Sequence, residues 1–269
     1  MLQFSSMMQK SKSSPLPLVK PLYKRAGISP LEAIDEFRLQ HPELKDEKIS
    51  YAGRLDPMAD GVLILLIGSA NKERENFLHL DKSYRVEMLF GVSTDSYDVL
   101  GIPQEVSPRD IQKEELEKAL KGFEGVITQK FPPYSSKPVN GKPLYYWARQ
   151  GKLNEIVVPE KERTIHRIEL VAMRKIKGDE ILSDVLERIS KVKGDFRQEE
   201  INKAWEKMKP RLDEQEFLIA TIVVDGSSGL YMRQLAFDIG LSLDTPAHAY
   251  KITRTRAGAY SMNDLDIAL

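Results

Sequence analysis

Gly53-Arg54-Leu55-Asp56-Pro57-Met58-Ala59-Asp60-Gly61-Val62-Leu63-Ile64-Leu65-Leu66-Ile67-Gly68 is the stretch that decides the fold. Its second half, Val62 to Ile67, is a continuous apolar run between glycines. A run this short reads as a strand buried on both faces. The first half belongs to a loop, Ser50 to Gly61, dense in turn residues. Asp56 on that loop would be held by rigid structure yet remain within reach of a substrate. Asp before Pro is also a common turn former, so residue types alone leave both roles open.

Outward from this stretch the pattern is mixed. Ser29 as N-cap, Pro30 at the first helical position and Glu32 predict a helix with Leu31, Ile34 and Phe37 as its apolar stripe. Tyr84 to Val92 alternates as a strand, with Tyr84, Val86, Met88 and Phe90 on one face. An amphipathic helix is expected over 110–121, and Phe131-Pro132-Pro133-Tyr134 interrupts regular structure before a helix near Pro143 to Gln150. Strands are expected at 166–176, 217–225 and 249–261, and a helix over 230–241. Between the two central strands, Ile181, Leu182, Val185, Leu186 and Ile189 fall at helical spacing, as do Ile201, Trp205, Met208 and Leu212. This predicts a helical hairpin within 178–214. Strands and helices out of strict alternation give an α+β or mixed α/β fold. Residues 1–17 read as a flexible tail before one domain over 18–269.

The composition excludes several chemistries. No cysteine is present among 269 residues, which removes disulfides and thiolate chemistry and fits a reducing cytoplasm. The Ser- and Lys-rich opening, with no acid before Glu32, leaves a short organellar presequence open as well. His41, His79, His166 and His248 lack paired metal spacing, so no metal is expected. No apolar run is long enough to cross a membrane. Lys plus Arg equals Asp plus Glu at 40 each, so net charge points to no partner. The basic residues nevertheless cluster: Lys10, Lys12, Lys20, Lys24 and Arg25 near the start, Lys137, Lys142, Arg149 and Lys152, then Lys251, Arg254 and Arg256. Such segregation gives either a basic RNA-binding face or chance clusters of solvated side chains.

The opening stretch resembles the pseudouridine synthase motif G-x-L-D-P-x-A-x-G-V-L. Three further blocks in the same order resemble the TruB family of tRNA pseudouridine synthases. They are Lys82-Ser83-Tyr84-Arg85 with Gly91, Thr94, Ser96, Asp98 and Gly101; Gln129 to Lys137 with Asn140-Gly141, Leu144-Tyr145 and Ala148 to Gly151; and Gly229 to Gly240. The resemblance implies a long mixed, mostly antiparallel sheet flanked by helices and loops. It implies a cofactor-free isomerisation of uridine 55 in the T loop of tRNA. Asp56 would act as nucleophile or base, Tyr84 would stack on the target base or act as a base, and Arg233 would pair with Asp56 and aim it. Base–aromatic stacking of this kind is worth about 1–3 kcal/mol. Tyr51, Arg54 and Tyr231 would contact RNA, and Lys82, Lys137 and Arg149 would either contact its phosphates or face water. The partner would be the T arm of tRNA, bound by a monomer.

Two departures stand out. Tyr51 occupies the place of the histidine that fills the gap left by flipped bases, and the small RNA-binding PUA domain that commonly ends the family is expected to be absent. The segment 178–214 stands where the family has a short connection. It would either decorate the surface or lean over the RNA site. A rival class is an RNA chaperone acting on tRNA with catalysis secondary or lost.

Overall fold

A computed structural model describes residues 18–265, so the expected tail over 1–17 lies outside the described residues. In chain order the first half contains β1 (Leu18–Lys24), α1 (Pro30–Gln40), β2 (Ile49–Ala52), β3 (Ala59–Ile67), α2 (Arg74–Leu78) and β4 (Lys82–Phe90). Next come β5 (Val92–Thr94), β6 (Pro103–Val106), α3 (Lys113–Lys121), β7 (Gly125–Lys130), β8 (Pro138–Val139), β9 (Lys142–Pro143) and α4 (Leu144–Arg149). The last part holds β10 (Glu160–Lys177), α5 (Gly178–Ser190), α6 (Gln198–Leu212), β11 (Glu216–Gly226), α7 (Met232–Ser242), β12 (Ala247–Ala257) and β13 (Tyr260–Ser261). The main sheet runs β1-β3-β12-β4-β11-β10-β7, with β2 beside β3 and β13 beside β12. Only the β3–β12 pair is parallel. This is a long, mostly antiparallel mixed sheet flanked by helices.

β3 explains why the run Val62 to Ile67 has no polar residue: all nine positions of the strand are buried. Leu63, Leu65 and Ile67 face one core with Tyr84, Val86, Met88 and Phe90, covered by α1, α3 and α7. Val62, Ile64 and Leu66 face the other side. Each fully buried aliphatic side chain contributes about 1.5–3 kcal/mol, so the strand is a rigid base for the turn before it.

That turn is shorter than the sequence suggests. β12 pairs with β3 only at Ala59, Asp60 and Gly61, and β2 then pairs with Ile64 to Ile67. The expected loop Ser50 to Gly61 therefore shrinks to 53–58, because the backbone groups of β3 need partners on both edges. Gly61 sits at the change of partner with φ of 108°, and a Cβ there would lie 2.2 Å from the Arg254 carbonyl oxygen. Only glycine fits that approach.

α1 begins with the Ser29–Glu32 capping box. Its buried residues are Pro30, Ala33, Ile34 and Phe37, whereas Leu31 is 63% exposed and faces a cleft rather than the core. On the opposite face of the sheet, α5 and α6 bury Ile181, Val185, Ile189, Ile201, Trp205 and Leu212 against Leu89, Phe217, Ile219 and Tyr250. Trp205 Nε1 donates to the Gly101 carbonyl at 3.1 Å, and its ring meets the edge of His248. No helix among the described residues is long and apolar enough to cross a membrane.

His248 is fully buried with Nδ1 2.8 Å from the Val92 carbonyl oxygen. Burial lowers its pKa from 6.5 to about 4. The unfolded chain takes up this proton first, so stability is full above about pH 6.5 and falls as pH drops toward 4. Denaturant titrations of wild type and His248→Gln across that window should converge on acidification. The expected closing of the gap is on the order of 3 kcal/mol. Parallel pH profiles would contradict this.

Candidate active site

Asp56 occupies the 53–58 turn between β2 and β3. Leu55 and Met58 are buried on either side and pull the turn onto the core, while the Asp56 side chain stays 29% exposed. The Pro57 carbonyl accepts from Gly27 N at 2.9 Å and from Lys24 Nζ at 3.4 Å. Arg254, at 1% exposure on β12, holds the other side. Its Nη1 and Nη2 donate to the Arg54 and Gly53 carbonyls at 3.3 and 3.1 Å. Its Nε donates at 2.7 Å to the Val62 carbonyl, one residue past the last β3–β12 pair.

Arg233 lies in the first turn of α7 and is 3% exposed. Nε donates to Asp56 Oδ2 at 2.8 Å, Nη1 to the Ser96 carbonyl at 2.8 Å, and Nη2 to the Tyr134 carbonyl at 3.3 Å. Asp98 Oδ2 is 3.6 Å from the same Nε. Burial works against the guanidinium charge, but Asp56 and Asp98 outweigh it and hold Arg233 above its ordinary pKa. Burial pushes the Asp98 carboxyl up, with Arg233 opposing. Asp98 thus accepts from Ser96 Oγ and Leu100 N inside the fold, and Asp56 alone of the two reaches the cleft.

Eight of the nine sequence-derived site residues line one cleft of about 900 Å³, Lys137 being the exception. Tyr84 is 8% exposed and hydrogen-bonded to Arg254. Burial raises its phenol pKa, which favours the neutral ring. Tyr231 is fixed by Gln129, which accepts from its N–H at 2.9 Å and donates to its carbonyl at 3.1 Å. Its ring packs edge-on against Phe131. Tyr51, half-buried on β2, takes the opposite wall.

The basic residues divide. Arg54 is exposed at the rim. Arg149 is ion-paired to Asp195 at 3.1 Å, and Lys137 sits 5.1 Å above the Phe131 ring. Lys82, expected at the phosphate-facing surface, is instead 4% exposed. Its ammonium donates to the Leu78 and Leu80 carbonyls, and burial lowers its pKa to about 8. Lys24 is fully buried and likewise lowered to about 8 by burial, with Asp56 opposing. Lys24 and Arg254 were candidates for a basic face; they turn inward because the turn's carbonyls need donors.

Sequence reasoning missed Arg254 and Lys24 as supports of the turn. The signal for the first was Gly61, since glycine inside a strand marks close backbone approach. It also left Asp98 without a role. The 191–197 loop between α5 and α6 places Asp195 and Phe196 in the cleft wall.

The fold is shared with chains of solved assemblies. A chain of a Cbf5-Nop10-Gar1 complex matches with a TM-score of 0.55 at 20% identity, covering 92% of this chain and 51% of that one. A chain of an H/ACA RNP bound to a substrate RNA containing 2'-deoxyuridine gives 0.53 at 19% identity, covering 90% and 48%. This protein therefore spans about half the length of those chains. Residues 42–194 match the family described as TruB family pseudouridylate synthase (N terminal domain). The tRNA pseudouridine synthase B of Staphylococcus aureus strain JH9 is 32% identical over 249 residues, covering 91% of this chain and 68% of that protein. The Staphylococcus saprophyticus protein of the same name is 28% identical over the same shares. The chain belongs to the TruB family of pseudouridylate synthases.

Arg254→Met should strand the Gly53, Arg54 and Val62 carbonyls. Each buried unpaired group costs about 1–3 kcal/mol, so a loss of about 3 kcal/mol or more is expected by chemical denaturation. A change below about 0.5 kcal/mol would show that the turn is held by its apolar residues alone.

Proposed function

We propose that this protein converts uridine to pseudouridine at position 55 in the T loop of tRNA, with Asp56 as nucleophile or base. The observation that carries the reading is the 2.8 Å pair of Asp56 with buried Arg233 at the cleft, beside Tyr84 and Tyr231. The tRNA substrate rests on the name of the staphylococcal relatives. One catalytic domain over 18–269, carrying 178–214 as a helical insertion, would work as a cytoplasmic monomer on the T arm.

The chemistry is an isomerisation and needs no net oxidant or reductant. The Asp56 carboxylate attacks or deprotonates the nucleoside, the N1–C1′ bond breaks, and the uracil turns within the cleft. A C5–C1′ bond then forms, with the Asp56 carboxylate displaced or the proton it took given back, and C5 loses its proton while N1 gains one. Arg233 aims the carboxylate, and its Nη1 and Nη2 are anchored on the Ser96 and Tyr134 carbonyls, so it does not wander. A base inside a folded loop must be extruded to reach such a site, and aromatic rings replace its lost stacking. Tyr51 would fill the gap left in the RNA. A chaperone without chemistry has no use for a carboxylate aimed by a buried arginine.

Asp56→Asn should give no pseudouridine in single-turnover assays while tRNA affinity stays within about tenfold. Substantial turnover by this variant refutes the assignment. Tyr51→Ala should weaken productive binding by about tenfold, in the range of one lost stacking contact, and Tyr51→His should recover it. Equal rates for wild type and both variants would assign the wedge to another residue.

A further inference from the structure

Arg197 ends the loop that joins α5 to α6, at a φ of 65°. A bulky residue stays in that conformation only where its surroundings over-determine it. Here they do. Nη1 and Nη2 grip the two oxygens of Asp95 at 2.9 and 3.2 Å, and the guanidinium lies 4.2 Å over the Tyr134 ring. The Tyr134 hydroxyl donates to the same Asp95 at 2.9 Å. The Arg197 side chain is 13% exposed and that of Asp95 17%, so the pair is partly shielded from water.

The two segments gathered by Arg197 are the ones that hold Arg233. Ser96, next to Asp95, offers its carbonyl to Arg233 Nη1, and Tyr134 offers its own carbonyl to Nη2. From the same loop, the Asp195 carboxylate and carbonyl accept from Arg149 at 3.1 and 2.8 Å, and Lys193 N donates to the Gly27 carbonyl at 3.2 Å. Gly27 N in turn donates to the Pro57 carbonyl, beside Asp56. The hairpin loop therefore touches the supports of both members of the ion pair.

We propose that Arg197 is a positioning residue for the reaction at Asp56: it clamps Asp95 to Tyr134 and so fixes the two carbonyls that aim Arg233. The catalytic part of this inference rests on the function proposed above; the clamp itself does not. A plain tether for the hairpin would leave Arg233 undisturbed. Lysine cannot supply the fork or the stack, whereas glycine relieves the left-handed backbone and favours a folded variant.

Two measurements on Arg197→Gly and Arg197→Lys decide it. The first is hydrogen exchange of the Arg233 Nε–H by NMR, assigned by its loss in Arg233→Lys. The second is the single-turnover rate of pseudouridine formation at saturating tRNA, with tRNA affinity measured separately. Faster Nε–H exchange is expected in both variants. For Arg197→Gly the saturating rate should fall about tenfold or more, as misplacement of aiming groups does, with affinity within about threefold. Arg197→Lys should fall between that variant and wild type. Unchanged exchange, or a wild-type saturating rate in folded variants, overturns the proposal, as does a loss confined to affinity. If Arg197→Gly does not fold, Arg197→Lys decides by the same criteria. A wild-type protein that forms no pseudouridine in tRNA would refute the proposed function, while the exchange measurement still decides the clamp.

Discussion

Arg233 keeps a full charge at 3% exposure, and the rest of the site follows from satisfying that charge. Removing a guanidinium from water costs several kcal/mol unless its surroundings replace the water. Asp56, Asp98 and the carbonyls of Ser96 and Tyr134 do so. These groups come from three separate stretches of chain, so the sheet has to assemble before the pair can form. Taking away one carboxylate would leave a buried charge short of a partner, a far larger penalty than losing an exposed ion pair.

The same economy governs the cations around the turn. Lys24, Lys82 and Arg254 are buried on backbone carbonyls, two of them on the turn that carries Asp56. The charges of Lys24 and Arg254 also act on the Asp56 carboxylate. A neutral protein can thus present a locally positive cleft to RNA without a strongly basic surface. Arg54 at the rim, Arg74 on α2 and Arg149 on α4 are cations of the site that remain near solvent.

Much of the fold was legible because hydrophobic period is a local signal. β3, the alternating face of β4 and the capping box of α1 could all be read from neighbouring residues. Asp56, Tyr84 and Arg233 emerged only through the family resemblance, since a lone Asp-Pro turn or a helical arginine carries no chemistry by itself. What stayed hidden depends on register between distant strands. Arg254 meets the Asp56 turn because β12 runs parallel to β3 for three residues and then yields to β2. Lys82 was expected to meet phosphate or water, and only its burial shows its ammonium turned onto the Leu78 and Leu80 carbonyls. Likewise Arg197 lies in a polar segment whose sequence gives no hint of Asp95, 102 residues away.

If this cleft takes one extruded uridine from the T loop, incubating the protein with unmodified tRNA transcript and mapping pseudouridine at single-nucleotide resolution should reveal a single modified position, uridine 55. Pseudouridine confined to other positions, or none at all under saturating enzyme, would contradict it.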